Sequence, residues 1–182
     1  MESRIISLIE EQIVVGFTGK LNILSSYNRQ YLGHILFANG QLIHATLNKA
    51  TGTKALFQII LEENESNKFN LILEPELVDE KERTIHQTFA DLKNKFSEVL
   101  TEHRDALKFR PPENIKILID SEFIEDSLPV TPKEFEVLKA LTEWNTPKDL
   151  YENCHLLEYE IIMALVSLRK KEALKIIAPR NL

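Results

Sequence analysis

The chain has 182 residues, with 22 Lys plus Arg against 28 Asp plus Glu for a net charge of −6, 43% apolar residues, 5 Gly and 7 Pro. That is a globular composition, long enough for one large domain or two small ones. The longest apolar run, Ile161 to Val166, is far shorter than the roughly 20 residues of a bilayer crossing, so a membrane-spanning helix is excluded.

The amino terminus has neither the apolar stretch nor the small-residue cleavage site of a signal peptide, and a cytoplasmic location is expected. A lone Cys154 can form no internal disulfide and belongs to no zinc spacing. Basic and acidic residues number 6 and 8 in residues 1–78, 8 and 12 in 79–127, and 8 and 8 in 128–182. No segment concentrates cations as a phosphate-binding surface must.

In chain order, Ile5, Leu8, Ile9 and Ile13 recur at the spacing of one buried stripe, which predicts a helix over residues 3 to 15. Gly16 and Thr18-Gly19 end it. Leu21, Ile23 and the residues from Leu32 onward alternate as strands, and Asn39-Gly40 between two apolar runs is the favoured two-residue hairpin turn. An unbroken register from that turn pairs Ala38 with Gln41. It sets Leu36 beside Ile43 and His34 beside Ala45, with Phe37 beside Leu42 and Ile35 beside His44 on the other face. Both faces are apolar, so the hairpin is expected inside a sheet covered on two sides. In this register His34 and His44 lie on opposite faces, where they cannot share a metal ion.

Residues 52 to 61 predict a second helix, Glu62 to Lys68 a solvated loop, and Phe69 to Glu74 a strand stopped by Pro75. Residues 79 to 108 lack Gly and Pro, and Ile85, Phe89, Leu92, Phe96 and Val99 keep heptad spacing. This predicts one long helix of about 45 Å. Part of it is expected to form the second cover over the hairpin, leaving part for another chain, including a second copy. His103 falls at the next heptad position and is read as spacing.

Arg110-Pro111-Pro112 marks the expected domain boundary. Ile115, Ile117 and Ile119 predict a short strand. Thr131-Pro132-Lys133-Glu134 is a capping box that opens a helix, Thr146-Pro147 opens another, and residues 157 to 171 predict a third before a strand at 174 to 177. Three helices and a strand suggest a winged-helix unit. The start of its third helix offers Glu158 and Glu160 where a DNA reader would carry basic or amide side chains, so nucleic-acid binding is the alternative rather than the leading reading.

The chemistry of a catalytic centre is not written in the chain. Neither GxGxxG nor GxxxxGK[ST] occurs, the five histidines lack ligand spacing, and the adjacent Cys154-His155 are poorly placed to face one another. The acidic groups at 62–65 and 120–126 lack the spacing of calcium loops. No cofactor, metal or catalytic residue is expected.

The succession Thr18-Gly19-Lys20-Leu21, Gly33-x-Ile35-x-Phe37-x-Asn39-Gly40-x-Leu42-Ile43-His44-Ala45, Gly52-x-x-Ala55-Leu56 and Lys68-Phe69 resembles the PATAN family, the PatA amino-terminal domain of bacterial signalling proteins. The resemblance covers residues 1 to about 108. Leu128 to Leu138 and Asp149-Leu150 look like the degenerate winged helix that often comes after it. It implies a noncatalytic interaction module linked to two-component systems, with partners such as response regulators or small GTPases, and motif positions at Gly33, Asn39, Gly40, His44, Ala45 and Gly52.

The expected architecture is therefore α+β. An antiparallel sheet with a central hairpin packed by helices spans residues 1–110, including the long helix. A linker spans 111–127 and a winged-helix-like domain 128–182. Phe89, Phe96 and Leu100 on the long helix, and Tyr159 on the third winged-helix segment, are the expected partner contacts.

Overall fold

Helix α1 (Arg4–Val14) buries Ile5, Ile6 and Ile9. It ends where Gly16 takes φ +68°, so that the Gly16 N–H donates to the Ile13 carbonyl (3.2 Å) and the Phe17 N–H to that of Gln12 (3.0 Å). This paired bonding is the glycine-dependent helix stop, satisfying carbonyls that would otherwise be orphaned. The computed structural model describes residues 4–66, 68–125 and 129–177, and its chain divides into two units, Met1–Glu98 and Val99–Leu182.

In the first unit, β1 (Gly19–Ser25), β2 (Tyr31–Ala38), β3 (Gln41–Leu47), β4 (Ala50–Thr51) and β5 (Phe69–Pro75) form an antiparallel sheet in the order β4-β3-β2-β1-β5. Helix α2 (Gly52–Ser66) joins β4 to β5. The α+β class and the central hairpin are as expected. Asn39 and Gly40 take φ of 49° and 73°, the two positive values this turn demands. Leu21, Ile23, Ile35, Phe37 and Ala45 share one face and are fully buried, as are Ile5, Ile9, Leu56 and Ile59 of α1 and α2.

The hairpin register departs from expectation one step past the turn. Ala38 opposes Gln41 and Phe37 opposes Leu42, but Leu36 then opposes His44, Ile35 opposes Ala45 and His34 opposes Thr46. Ile43 is the extra residue of a β-bulge. Its carbonyl accepts the N–H groups of both Thr84 and Ile85 at 2.9 Å, so a segment remote in sequence uses the bulge. A slip of one residue exchanges faces. His34 and His44 therefore share a face, with ring centroids 5.9 Å apart.

Two other expectations change. Helix α2 runs on through the stretch read as a solvated loop, because Glu63 is buried there: its Oε2 accepts the Phe69 N–H (3.1 Å) and its Oε1 accepts from Arg4 (3.4 Å). The long helix, α3 (Phe89–Leu107), begins ten residues later than predicted. Asp79 instead caps a 3-10 turn at Glu80–Glu82, and Thr88 opens α3 by accepting the Asp91 N–H (3.2 Å). The beginning of α3 joins the helical side of the sheet, with Phe96 against Phe57 of α2 and Lys93 paired with Glu10 of α1. The second face is covered in part by the strand-to-helix connection instead, where Val78 packs on Leu36, Ala38 and Ile43.

The second unit contains the end of α3, β6 (Lys116–Ile119), α4 (Ser121–Glu125), α5 (Pro132–Leu141), α6 (Pro147–Asn153), α7 (Glu158–Lys170) and β7 (Leu174–Ile177). The three helices and final strand lie where the sequence puts them, and the Thr131–Glu134 capping box is formed. β6 and β7 pair antiparallel, and Ile117 donates to the Asn145 carbonyl in the α5–α6 connection (2.8 Å). Val137, Leu150, Ile161, Leu168 and Ala173 are fully buried. The division between units falls inside α3 rather than at Arg110-Pro111-Pro112. Val99, His103 and Ala106 are buried, with the His103 ring edge-on to Tyr159 of α7, so this half of α3 packs with the second unit.

Candidate functional site

The heptad stripe of α3 is consumed by its own chain. Leu92, Phe96, Val99 and His103 are at most 6% exposed. Phe96 is thus a core residue of this chain, and Leu100 is largely covered. Tyr159, expected on the outward face of α7, is buried at 6% exposure. Burial and the neighbouring Glu160 and Glu102 carboxylates hold its hydroxyl above the ordinary tyrosine range. The inward stripe of α7 does not reveal this second buried side, because α3 creates it. The residue that faces out is Met163, at 46% exposure.

Phe89 stands beside open apolar surface. The last turn of α1, the Asn39–Gly40 turn, the connection through residues 83–88 and the first turn of α3 enclose a groove of about 820 Å³. Ile13, Val14, Leu42 and Phe89 supply its apolar lining, and Val14 is 85% exposed, with Val15 beside it at 71%. The rim is polar. Lys93 pairs with Glu10 at 2.7 Å, Arg83 donates to Gln41 (3.1 Å) and lies 3.7 Å from Glu80, and His86 is exposed. The sequence does carry a signal for this place that stripe reasoning passes over: Val14 and Val15 fall off the α1 stripe just before a glycine stop.

The shared histidine face is the other polar concentration in the first unit. The His34 Nδ1 lies within hydrogen-bond reach of the Tyr31 and Thr46 hydroxyls, and the His44 Nδ1 lies 2.7 Å from Thr84 Oγ1. Burial, then the charges of Lys20 and His44, lower the His34 pKa below 6.5. Both Nδ1 atoms are engaged by hydroxyls, and among the described residues no group of three or more His, Cys, Asp or Glu side chains could hold a metal ion.

The motif positions resolve into backbone requirements. A Cβ on Gly33 would sit 2.0 Å from the Thr46 carbonyl oxygen, one on Gly40 2.6 Å from that of Ile13, and Gly52 opens α2 at φ +65°. Ala45 is fully buried. In the second unit, Glu158 pairs with Arg110 (3.1 Å) and Glu160 with Lys133 (2.9 Å), so the acids at the start of α7 are held by cations of the same unit. Cys154 is buried, whereas the His155 side chain is 69% exposed and lies 3.7 Å from Glu136. No family model matches this chain, and no curated protein or solved structure matches it. No described helix is long and apolar enough to cross a membrane.

Proposed function

We propose that this chain is a noncatalytic adaptor of bacterial signalling that works by reversible burial of exposed apolar surface against a partner protein. One observation carries the reading: Val14, at 85% exposure, forms with Phe89 the mouth of a groove with an apolar floor and charged rim. Aliphatic side chains standing in water at the edge of such a recess are an interaction surface. A partner helix with an apolar ridge fits the recess, and acidic flanks on that helix fit Arg83 and Lys93. The PATAN resemblance supports the same class of role, with response regulators and small GTPases as the partner classes it implies.

A Val14→Asp, Val15→Asp variant tests the reading, since both side chains are already in water and the fold should survive. Thermal melts should match the parent, while proteins co-purifying from the native cell in proportion to the parent chain should be lost. An unchanged set of associations would end the groove's candidacy. The competing assignment, a winged-helix transcription regulator, requires measurable affinity for random duplex DNA at low salt. The acidic chain is expected to show none.

A further inference from the structure

Strand β5 is an edge of the five-stranded sheet, yet it reads Phe69-Asn70-Leu71-Ile72-Leu73-Glu74-Pro75. Ile72 is 53% and Leu73 37% exposed. Long apolar edges are ordinarily blunted by lysine, proline or a bulge, because their unpaired N–H and C=O groups recruit another strand. Here only the end is blunted, at Pro75.

The direction of each backbone group on this edge can be worked out. Ser26 donates to the Lys68 carbonyl (2.8 Å), so Lys68, Asn70, Ile72 and Glu74 turn their backbone groups toward β1. The alternate residues point outward. Of these, Phe69 gives its N–H to the buried Glu63 carboxylate (3.1 Å) and Pro75 has no N–H. The outward donors left on β5 are those of Leu71 and Leu73.

We propose that β5 is the seam of a two-fold homodimer, in which a second copy of this chain lays its own β5 antiparallel with Ile72 opposite Ile72. This register is the one that satisfies the edge. Leu71 faces Leu73 of the other copy and Leu73 faces Leu71, giving four backbone hydrogen bonds from the four free donors. The flanking positions pair Phe69 with Pro75, neither of which has a donor to offer. Side chains match as well. Asn70 falls beside Glu74 and Lys68 beside Glu76, on the same face as the Ile72 pair. Lys68 is exposed, and the carboxylate it would meet across the seam, Glu76, is already paired with Lys20 of its own chain at 2.8 Å, so this contact adds charge at the rim and does not carry the register. On the helical side, Leu71 and Leu73 line a recess of about 360 Å³ with Leu8 and the polar Arg4, Ser7 and Glu11 of α1, and the second copy's leucines would lie along its apolar edge. The result is a continuous ten-stranded sheet. A seam of one strand pair joins little area, so the dimer is of the weak, concentration-dependent kind. The surface is separate from the groove that carries the adaptor proposal, and either can fail without the other.

Sedimentation equilibrium of the full chain over a range of concentrations tests this, the expected limits being 21.0 kDa and twice that mass. Ile72→Lys sets two ammonium groups against each other at the axis and should leave a monomer at every concentration. Leu73→Pro removes an outward donor without touching the β1 ladder and should do the same. Lys68→Glu sets like charges against Glu76 across the seam and should raise the dissociation constant severalfold. A monomeric parent chain, or a dimer indifferent to Ile72→Lys and Leu73→Pro with both variants melting like the parent, would overturn the proposal.

Discussion

Gly33 shows how closely the strands approach. With the Thr46 carbonyl only 2.0 Å from where a Cβ would stand, Gly33→Ala forces backbone to move and should cost about 2 kcal/mol or more. A thermal melt should show a drop of several degrees, in contrast to an exposed control such as Gln87→Ala. Glu134 is the corresponding anchor of the second unit. It is 2% exposed, and burial alone would raise its pKa. The Lys171 ammonium at 2.8 Å, the Thr131 N–H and the Ser167 hydroxyl outweigh that penalty and hold the carboxyl at about 2, against 4.5 unfolded. A depressed carboxyl stabilises fully above the unfolded value, so this contribution is present above pH 4.5 and is lost as pH falls toward 2. Glu134→Gln should lose about 2 kcal/mol at neutral pH and flatten that acid limb in denaturant titrations.

His34 acts in a higher pH window. Its folded pKa lies below 6.5 because of burial and of Lys20 and His44, with Glu82 and Glu76 opposing. The unfolded chain therefore takes the proton first. Stability should fall as pH drops from about 6.5 through the lowered value, and His34→Gln should remove that slope. The placement of this pair was not legible in the hairpin sequence. Asn39-Gly40 names the turn, but nothing local announces that Ile43 will bulge to receive Thr84 and Ile85 from about forty residues away.

At the scale of elements, α3 separates what periodicity can and cannot say. The heptad residues do form one buried face, yet spacing alone runs the helix back to residue 79. Thr88 stops it at Phe89, and Thr88→Ala should cost about 1 kcal/mol and fray the first turn, visible as faster amide exchange at Ala90 to Leu92. Because Phe96 packs on Phe57 at 5% exposure, Phe96→Asp should unfold the first unit rather than sever a partner. Elements that carry their own punctuation, such as α5 with its capping box and α6 with Thr146-Pro147, were placed from sequence to within a few residues.

For the whole molecule, the division inside α3 has a direct consequence. Val99, His103 and Ala106 belong with the second unit, as the ring contact between His103 and Tyr159 attests. A fragment of residues 99–182 should melt cooperatively, whereas one starting at residue 111, at the proline pair, lacks the His103 ring that packs on Tyr159 and should melt broadly or bind a hydrophobic dye. Equal melts for the two fragments would contradict the assignment.

The amino-acid sequence settled whatever short-range chemistry dictates: the α+β class, the Asn-Gly turn, the capped helices and the order of elements. Tertiary structure decided the bulge that unites two histidines, the burial of Glu63, Phe96 and Tyr159, the place where one unit gives way to the next, and which apolar residues remain in water. Each of those outcomes depends on a carbonyl, carboxylate or ring meeting a partner from a distant part of the chain, and local patterns carry no record of such meetings.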